Sequence, residues 1–177
     1  MVLAASVPAS ADNPQENAKP IETFTAVAAS MQSGQSGIVE FNIYRWSTDA
    51  ERTVLKDLLK MKGQKAMVAE LQKLPQVGYV KMPNTMGYAL FYARSNTLPD
   101  GGRQVVFATD RDIINAAASP QASQYDVSVA EIRFNKAGKG QGKLVPAAKA
   151  SVDKDGKIQI ENYQGAPLRL MDIKVKQ

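Results

Sequence analysis

From Val77 onward the chain runs as short strand-like segments joined mostly by turns too short to carry a crossover between parallel neighbours. Val77 to Met82 is one such segment, closed by Pro83-Asn84-Thr85-Met86-Gly87. Tyr88 to Arg94 follows as a single strand with Tyr88, Leu90 and Tyr92 on one face, and Pro99-Asp100-Gly101-Gly102 turns the chain into RQVVFAT. Residues 113–124, IINAAASPQASQ, read as a loop. Then come Tyr125 to Phe134, the glycine-rich turn KAGKGQG, Lys143 to Val152, the hairpin turn Asp153-Lys154-Asp155-Gly156, Lys157 to Tyr163, a turn over Gln164 to Pro167, and Leu168 to Val175. With two earlier strands, Ile21 to Met31 and Ile38 to Trp46, the total is about eight or nine, and their short links make neighbours antiparallel.

One stretch breaks this rhythm. Val39, Phe41 and Ile43 alternate with Glu40 and Asn42, the pattern of a half-buried strand, and continuing it places Arg45 on the face of Ile43. At Thr48-Asp49-Ala50-Glu51 the period changes: the spacing is that of a capping box, with Thr48 accepting from the first turn and Glu51 reaching back. Val54, Leu55, Leu58, Leu59 and Met61 continue at helical spacing to Gly63, a terminator. Met67, Val68, Leu71 and Leu74 then mark a second helix ending at Pro75. The expected fold is therefore α+β: a mainly antiparallel sheet, open or curled toward a barrel, with one helical hairpin over about residues 48–74.

A chain of 177 residues, 44% of them hydrophobic, suits one domain with a real core, assigned to 21–177 behind a leader and linker over 1–20. Cysteine and histidine are both absent, which excludes thiolate nucleophiles, Ser-His-Asp and Cys-His mechanisms and the usual zinc sites. Catalysis would fall to carboxylate, tyrosine, lysine or arginine groups, with or without a hard cation held by oxygen ligands, and no cofactor or specific metal site is indicated. The net charge of +5 is concentrated late, with 10 basic against 6 acidic residues from Asp126 onward. Those lysines are spread over turns and strands, where they discourage edge pairing or make weak contact with an anionic partner surface such as acidic polysaccharide or phospholipid headgroups. Only Phe134 and Tyr163 accompany them, so nucleic acid is not an expected partner.

LAASVPASA, ending in Ala9-Ser10-Ala11, has the form of the end of a secretory signal, and the expected location is exported, periplasmic or extracellular. No apolar run approaches the length of a membrane span.

Two motif-like stretches dissolve on inspection. Gly138 to Gly142 lacks the phosphate-loop pattern and its helix, and Asp153-Lys154-Asp155-Gly156 has Gln164 where a calcium loop needs glutamate. Thr109-Asp110-Arg111-Asp112 is either an aspartate-capped turn with a local ion pair or an acid/base pair at a strand end. The remaining candidates are Arg45, Trp46, Tyr79, Tyr88, Tyr92 and Arg94, joined by Asp110 and Arg111. In a cupped or closed sheet such residues line a pocket with aromatic walls and an arginine for a carboxylate or phosphate, unless the aromatics are simply core.

FNIYRWSTDAERTVLKDLL, the stretch from LPQVGYVK to ATDRDI, and the closing KIQIENYQGAPLRLMDIKV resemble a group of uncharacterised exported proteins of environmental bacteria, most visibly in RWSTDAER and ATDR. The resemblance implies export and a single domain and brings no site residue with it. The expected function is a non-enzymatic binding protein for a small amphipathic or anionic ligand. The alternatives are an envelope structural or interaction protein and a carboxylate- or tyrosine-dependent enzyme on an extracellular substrate such as a polysaccharide.

Overall fold

The computed structural model describes residues 19–83, 87–111, 113, 127–162 and 166–177. The leader up to residue 18, most of the loop expected at 113–124, Asp112, and parts of the turns after Pro83 and before Pro167 lie outside them. The chain order is β1 (Glu22–Ala29), β2 (Ser36–Ile43), α1 (Asp49–Lys62), α2 (Gln64–Leu71), β3 (Gly78–Lys81), β4 (Tyr88–Leu90), β5 (Tyr92–Thr97), β6 (Arg103–Thr109), β7 (Ser128–Phe134), β8 (Gly140–Val145), β9 (Ala148–Val152), β10 (Ile158–Asn162) and β11 (Leu168–Lys176). Nine strands form one antiparallel sheet in the order β4-β3-β2-β1-β11-β8-β7-β6-β5, and β9 and β10 pair separately. With the two helices, this is the expected α+β fold with a helical hairpin, and the large sheet is a nearly closed barrel.

Closure comes from the segment Tyr88 to Arg94, whose sequence pattern predicts one continuous strand. Tyr88 to Arg94 is two strands, broken at Phe91, that lie at opposite ends of the sheet order. Phe91 N–H donates to the Ala108 carbonyl at 3.1 Å, while Val77 N–H donates to the Leu90 carbonyl at 2.8 Å, so the chain stitches one end of the sheet to the other. The break also reverses the alternation: Leu90 and Ala93 are buried in the core, and Tyr92 does not share a face with Leu90. A second correction concerns Lys143 to Val152. Pro146 has no N–H to give a ladder and Ala147 adopts a positive φ of 48°, so the strand ends at Val145 and β9 leaves the barrel.

The barrel interior is packed with side chains. Phe41 stacks on Phe107 with ring centroids 4.6 Å apart, and Phe24 meets Phe107 edge-on at 5.3 Å. Val39, Ile43, Val80, Ile132, Leu144 and Leu170 complete a core from which water is excluded. At β3 the packing brings backbone to backbone, since a Cβ at Gly78 would overlap the Asn42 carbonyl oxygen.

The helices form as the caps predict. Thr48 Oγ1 accepts from Glu51 N–H at 3.2 Å and Glu51 Oε2 accepts from Thr48 N–H at 2.7 Å. Gly63, at φ 82°, ends α1 and starts α2 directly, so the second helix begins at Gln64 and stops at Leu71, four residues before Pro75. Gln64 then grips β9: its amide donates to the Ala148 carbonyl at 2.9 Å and accepts from Ala150 N–H at 2.7 Å. In this way α1, α2 and the β9–β10 hairpin lie against the outer face of β5 to β8, rather than at the barrel mouth.

Candidate functional site

The segment between β2 and α1 is a clasp. Strand β2 ends at Ile43, so the alternation that would have carried Arg45 inward stops two residues earlier. Instead the Tyr44 and Ser47 amides bond across to Val77 and Ala93 carbonyls, and Ala93 N–H returns a bond to Ser47 Oγ at 3.1 Å. Arg45 lies on the helix start, where its guanidinium donates to both oxygens of Glu51, at 2.8 and 3.1 Å, and to the Pro75 carbonyl at 2.9 Å. The hydrogen bond from Arg45 holds the Glu51 carboxyl below the ordinary carboxylate range, against the effect of burial.

Trp46 is packed against the core beside a second ion pair. Glu22 and Arg103 both point inward, from strands separated by β11, β8 and β7, and meet across the barrel end with two bonds of 2.6 Å. The Glu22 side chain is 6% exposed and that of Arg103 32%. The Arg103 guanidinium lies 5.5 Å from the Phe24 ring centre and 5.6 Å from that of Trp46, within cation–π range. This charged plug, rather than an aromatic-walled opening, occupies that end of the barrel.

The other expected site residues scatter. Tyr79 is on the outer face of β3, its ring 6.3 Å from Tyr44, and burial raises the Tyr44 hydroxyl pKa with help from Tyr79 and Glu40. Tyr88 packs on the core. Asp110 is held by Arg111 at 3.1 Å and Gln72 at 3.3 Å, which is the local ion pair of the simpler reading. Tyr92 and Arg94 are brought together, on the outer face of β5.

They line a groove of about 550 Å³ between that face, α1, α2 and β10. Strand register organises its floor into rows. Tyr92, Ala108, Val129 and Val145 are partners across β5 to β8 and make an apolar row. Two residues along each strand, Arg94, Val106, Glu131 and Lys143 make a charged row, and beyond it lie Asn96, Gln104 and Arg133. Leu55, Met67 and Leu71 add apolar surface from the helices. The charge is lopsided: Arg52, Lys56, Arg94, Arg133, Lys143 and Lys157 line the groove against one carboxylate, Glu131. Glu131 accepts from Arg133 Nε at 2.6 Å and Gln104 Nε2 at 2.7 Å, with Lys143 Nζ at 3.7 Å. Burial pushes its carboxyl up, but the hydrogen bonds from Arg133 and Gln104 and the nearby cations outweigh this and hold it below the usual range. Arg94 is tied to Asp49 at the start of α1, whereas among the described residues Arg52, Lys56 and Lys157 form no ion pair. Burial raises the Tyr92 hydroxyl pKa, and Arg94 and Arg52 partly offset it.

A shallower depression of about 480 Å³ lies at the irregularity between β1 and β11, lined by Val27, Ile38 and Lys174 among others. Among the described residues no cluster of three or more potential metal ligands occurs, and no helix is long and apolar enough to cross a membrane. Models of known protein families, curated proteins and solved structures gave no match to the chain.

Arg52, Lys56, Glu131 and Arg133 each read in the sequence as an ordinary solvated position on a helix or strand, and Lys143 and Lys157 only as members of the scattered late lysines. One signal was present. RQVVFAT and VSVAEIRF carry apolar residues on both faces, which marks strands whose outer side is also covered.

Proposed function

We propose that the protein is an exported, non-catalytic binding protein that takes a small amphipathic anion in the groove between the outer face of β5 to β8 and the helical hairpin. The single observation that carries this reading is six cationic side chains set around an apolar floor with one carboxylate among them. Three of these cations, Arg52, Lys56 and Lys157, form no ion pair among the described residues, and cations gathered beside apolar surface favour an anion that brings an apolar part. The volume, about 550 Å³, suits a small organic molecule. Export is supported by the Ala9-Ser10-Ala11 leader pattern.

Titration with 8-anilinonaphthalene-1-sulfonate, an amphipathic anion, tests the reading alongside native mass spectrometry of protein purified from its source. Saturable one-to-one binding is expected, weakened about tenfold in the Arg52→Gln/Lys157→Gln double variant. The absence of both saturable binding and a retained small molecule would sink it.

The alternative role as an envelope interaction protein draws on the filled barrel and on the outward row of Ile38, Val27 and Met171, of which Ile38 and Met171 are well exposed. It predicts concentration-dependent self-association or partner capture that Ile38→Lys abolishes, readable by sedimentation velocity.

A further inference from the structure

The rows of the groove floor have different chemistry, and their order says how a ligand lies. The apolar row Tyr92–Ala108–Val129–Val145 crosses four strands, and so spans three interstrand spacings, about 14 Å. Leu55 and Met67 face the same space from the helices. The charged row lies two residues away along each strand, about 7 Å. A compact inorganic anion would leave the apolar row uncovered, and an uncharged lipid would leave the cations without counter-charge.

Glu131 sits where the rows meet. Its Oε1 is saturated by Arg133 and Gln104, while Oε2 has Lys143 at the longer distance of 3.7 Å. It is the only carboxylate lining the groove among the described residues, and it faces Arg94 from β5, Arg133 from its own strand, Lys143 from β8, and the further cations Arg52 and Lys56 on α1 and Lys157 beside β10. It thus stands in the place of an anion and holds Arg133 and Lys143 in position when no ligand is bound.

We infer that the groove takes single-chain alkyl anions in one orientation, the chain along the Tyr92–Ala108–Val129–Val145 row and the head beside Glu131, the internal counter-anion with which it shares Arg133 and Lys143. This rests on the groove being the ligand site. Glu131 is then a specificity-setting residue: it keeps Arg133 and Lys143 from binding any passing small anion tightly, so that affinity must come from the chain.

The test is a calorimetric series with butyl, hexyl, octyl and decyl sulfate below their micelle concentrations, with inorganic sulfate and alkyltrimethylammonium of matching length as controls. In the native protein each added methylene should tighten binding about fourfold. Glu131→Gln should tighten every member by about the same factor, on the order of tenfold, leaving the dependence on length unchanged. Lys143→Gln should shift the series the opposite way, which keeps the test informative if the Glu131 variant folds poorly. Tyr92→Ser should remove the gain for decyl sulfate and spare butyl sulfate. Binding that ignores chain length, or that the alkylammonium matches, overturns the alkyl-anion class; if sulfate itself still binds, the groove remains an anion site. Weaker binding in Glu131→Gln overturns the counter-anion role. Absence of binding by every probe overturns this inference and the groove reading together.

Discussion

Glu51 shows how one side chain serves two structures. The same carboxylate closes the capping box on Thr48 and receives Arg45, which in turn bonds to the Pro75 carbonyl, so the end of β2, the start of α1 and the approach to β3 meet at one residue. Glu51→Gln is expected to lower stability by about 1–2 kcal/mol at neutral pH, measured by urea unfolding. Its folded-state pKa is depressed, so this contribution is complete above the unfolded value of about 4.3 and disappears as pH falls through the lower folded value. The gap between native protein and variant should therefore close below that range, not at neutral pH. The capping box was legible from Thr48 and Glu51 alone, because it is written in four consecutive residues. The partner of Arg45 was not, since strand alternation gives no notice of where a strand stops, and β2 stops at Ile43.

Among elements, the β9–β10 hairpin is attached to the rest through few contacts, of which the Gln64 amide is central. It satisfies one N–H and one carbonyl on the edge of β9, so Gln64→Ala should cost about 1–2 kcal/mol. The effect should be local: hydrogen exchange at Ala150 should quicken far more than exchange in β6 or β7. At β3 the opposite holds, because Gly78 lies where a side chain would overlap the Asn42 carbonyl. Gly78→Ala should destabilise the whole fold by about 2–3 kcal/mol, seen as a lowered thermal midpoint. Helices, hairpin turns and antiparallel pairing were all readable, as they depend on residues close in sequence. Breaks inside strands were harder. Pro146 announces the end of β8, but nothing in Ala89-Leu90-Phe91-Tyr92 announces a bend, and missing it put Tyr92 on the wrong face. The groove suffered most, being assembled from α1, α2, β5 to β8 and β10, with lining residues as far apart in sequence as Arg52 and Ile160.

For the whole molecule, the Glu22–Arg103 pair ties β1 to β6 across the barrel end. Arg103→Met leaves the Glu22 carboxylate buried without its partner and should cost about 3–5 kcal/mol, whereas Glu22→Leu combined with Arg103→Met should recover most of that loss in chemical denaturation. A barrel was among the sheet forms the sequence allowed, yet its closure depends on which strands become ends, and that choice is made at Phe91. The consequence reaches beyond this one chain. Because the polypeptide itself passes from one end of the large sheet to the other there, those two ends are tied together at Phe91 and less free to take up a strand from a neighbouring copy. The far side of β10 is the more open invitation, since β10 pairs with β9 alone among the described residues. In a permutant cut at Phe91 and closed by a linker between residues 19 and 177 that tie is lost, and light scattering should show strand-exchanged dimers.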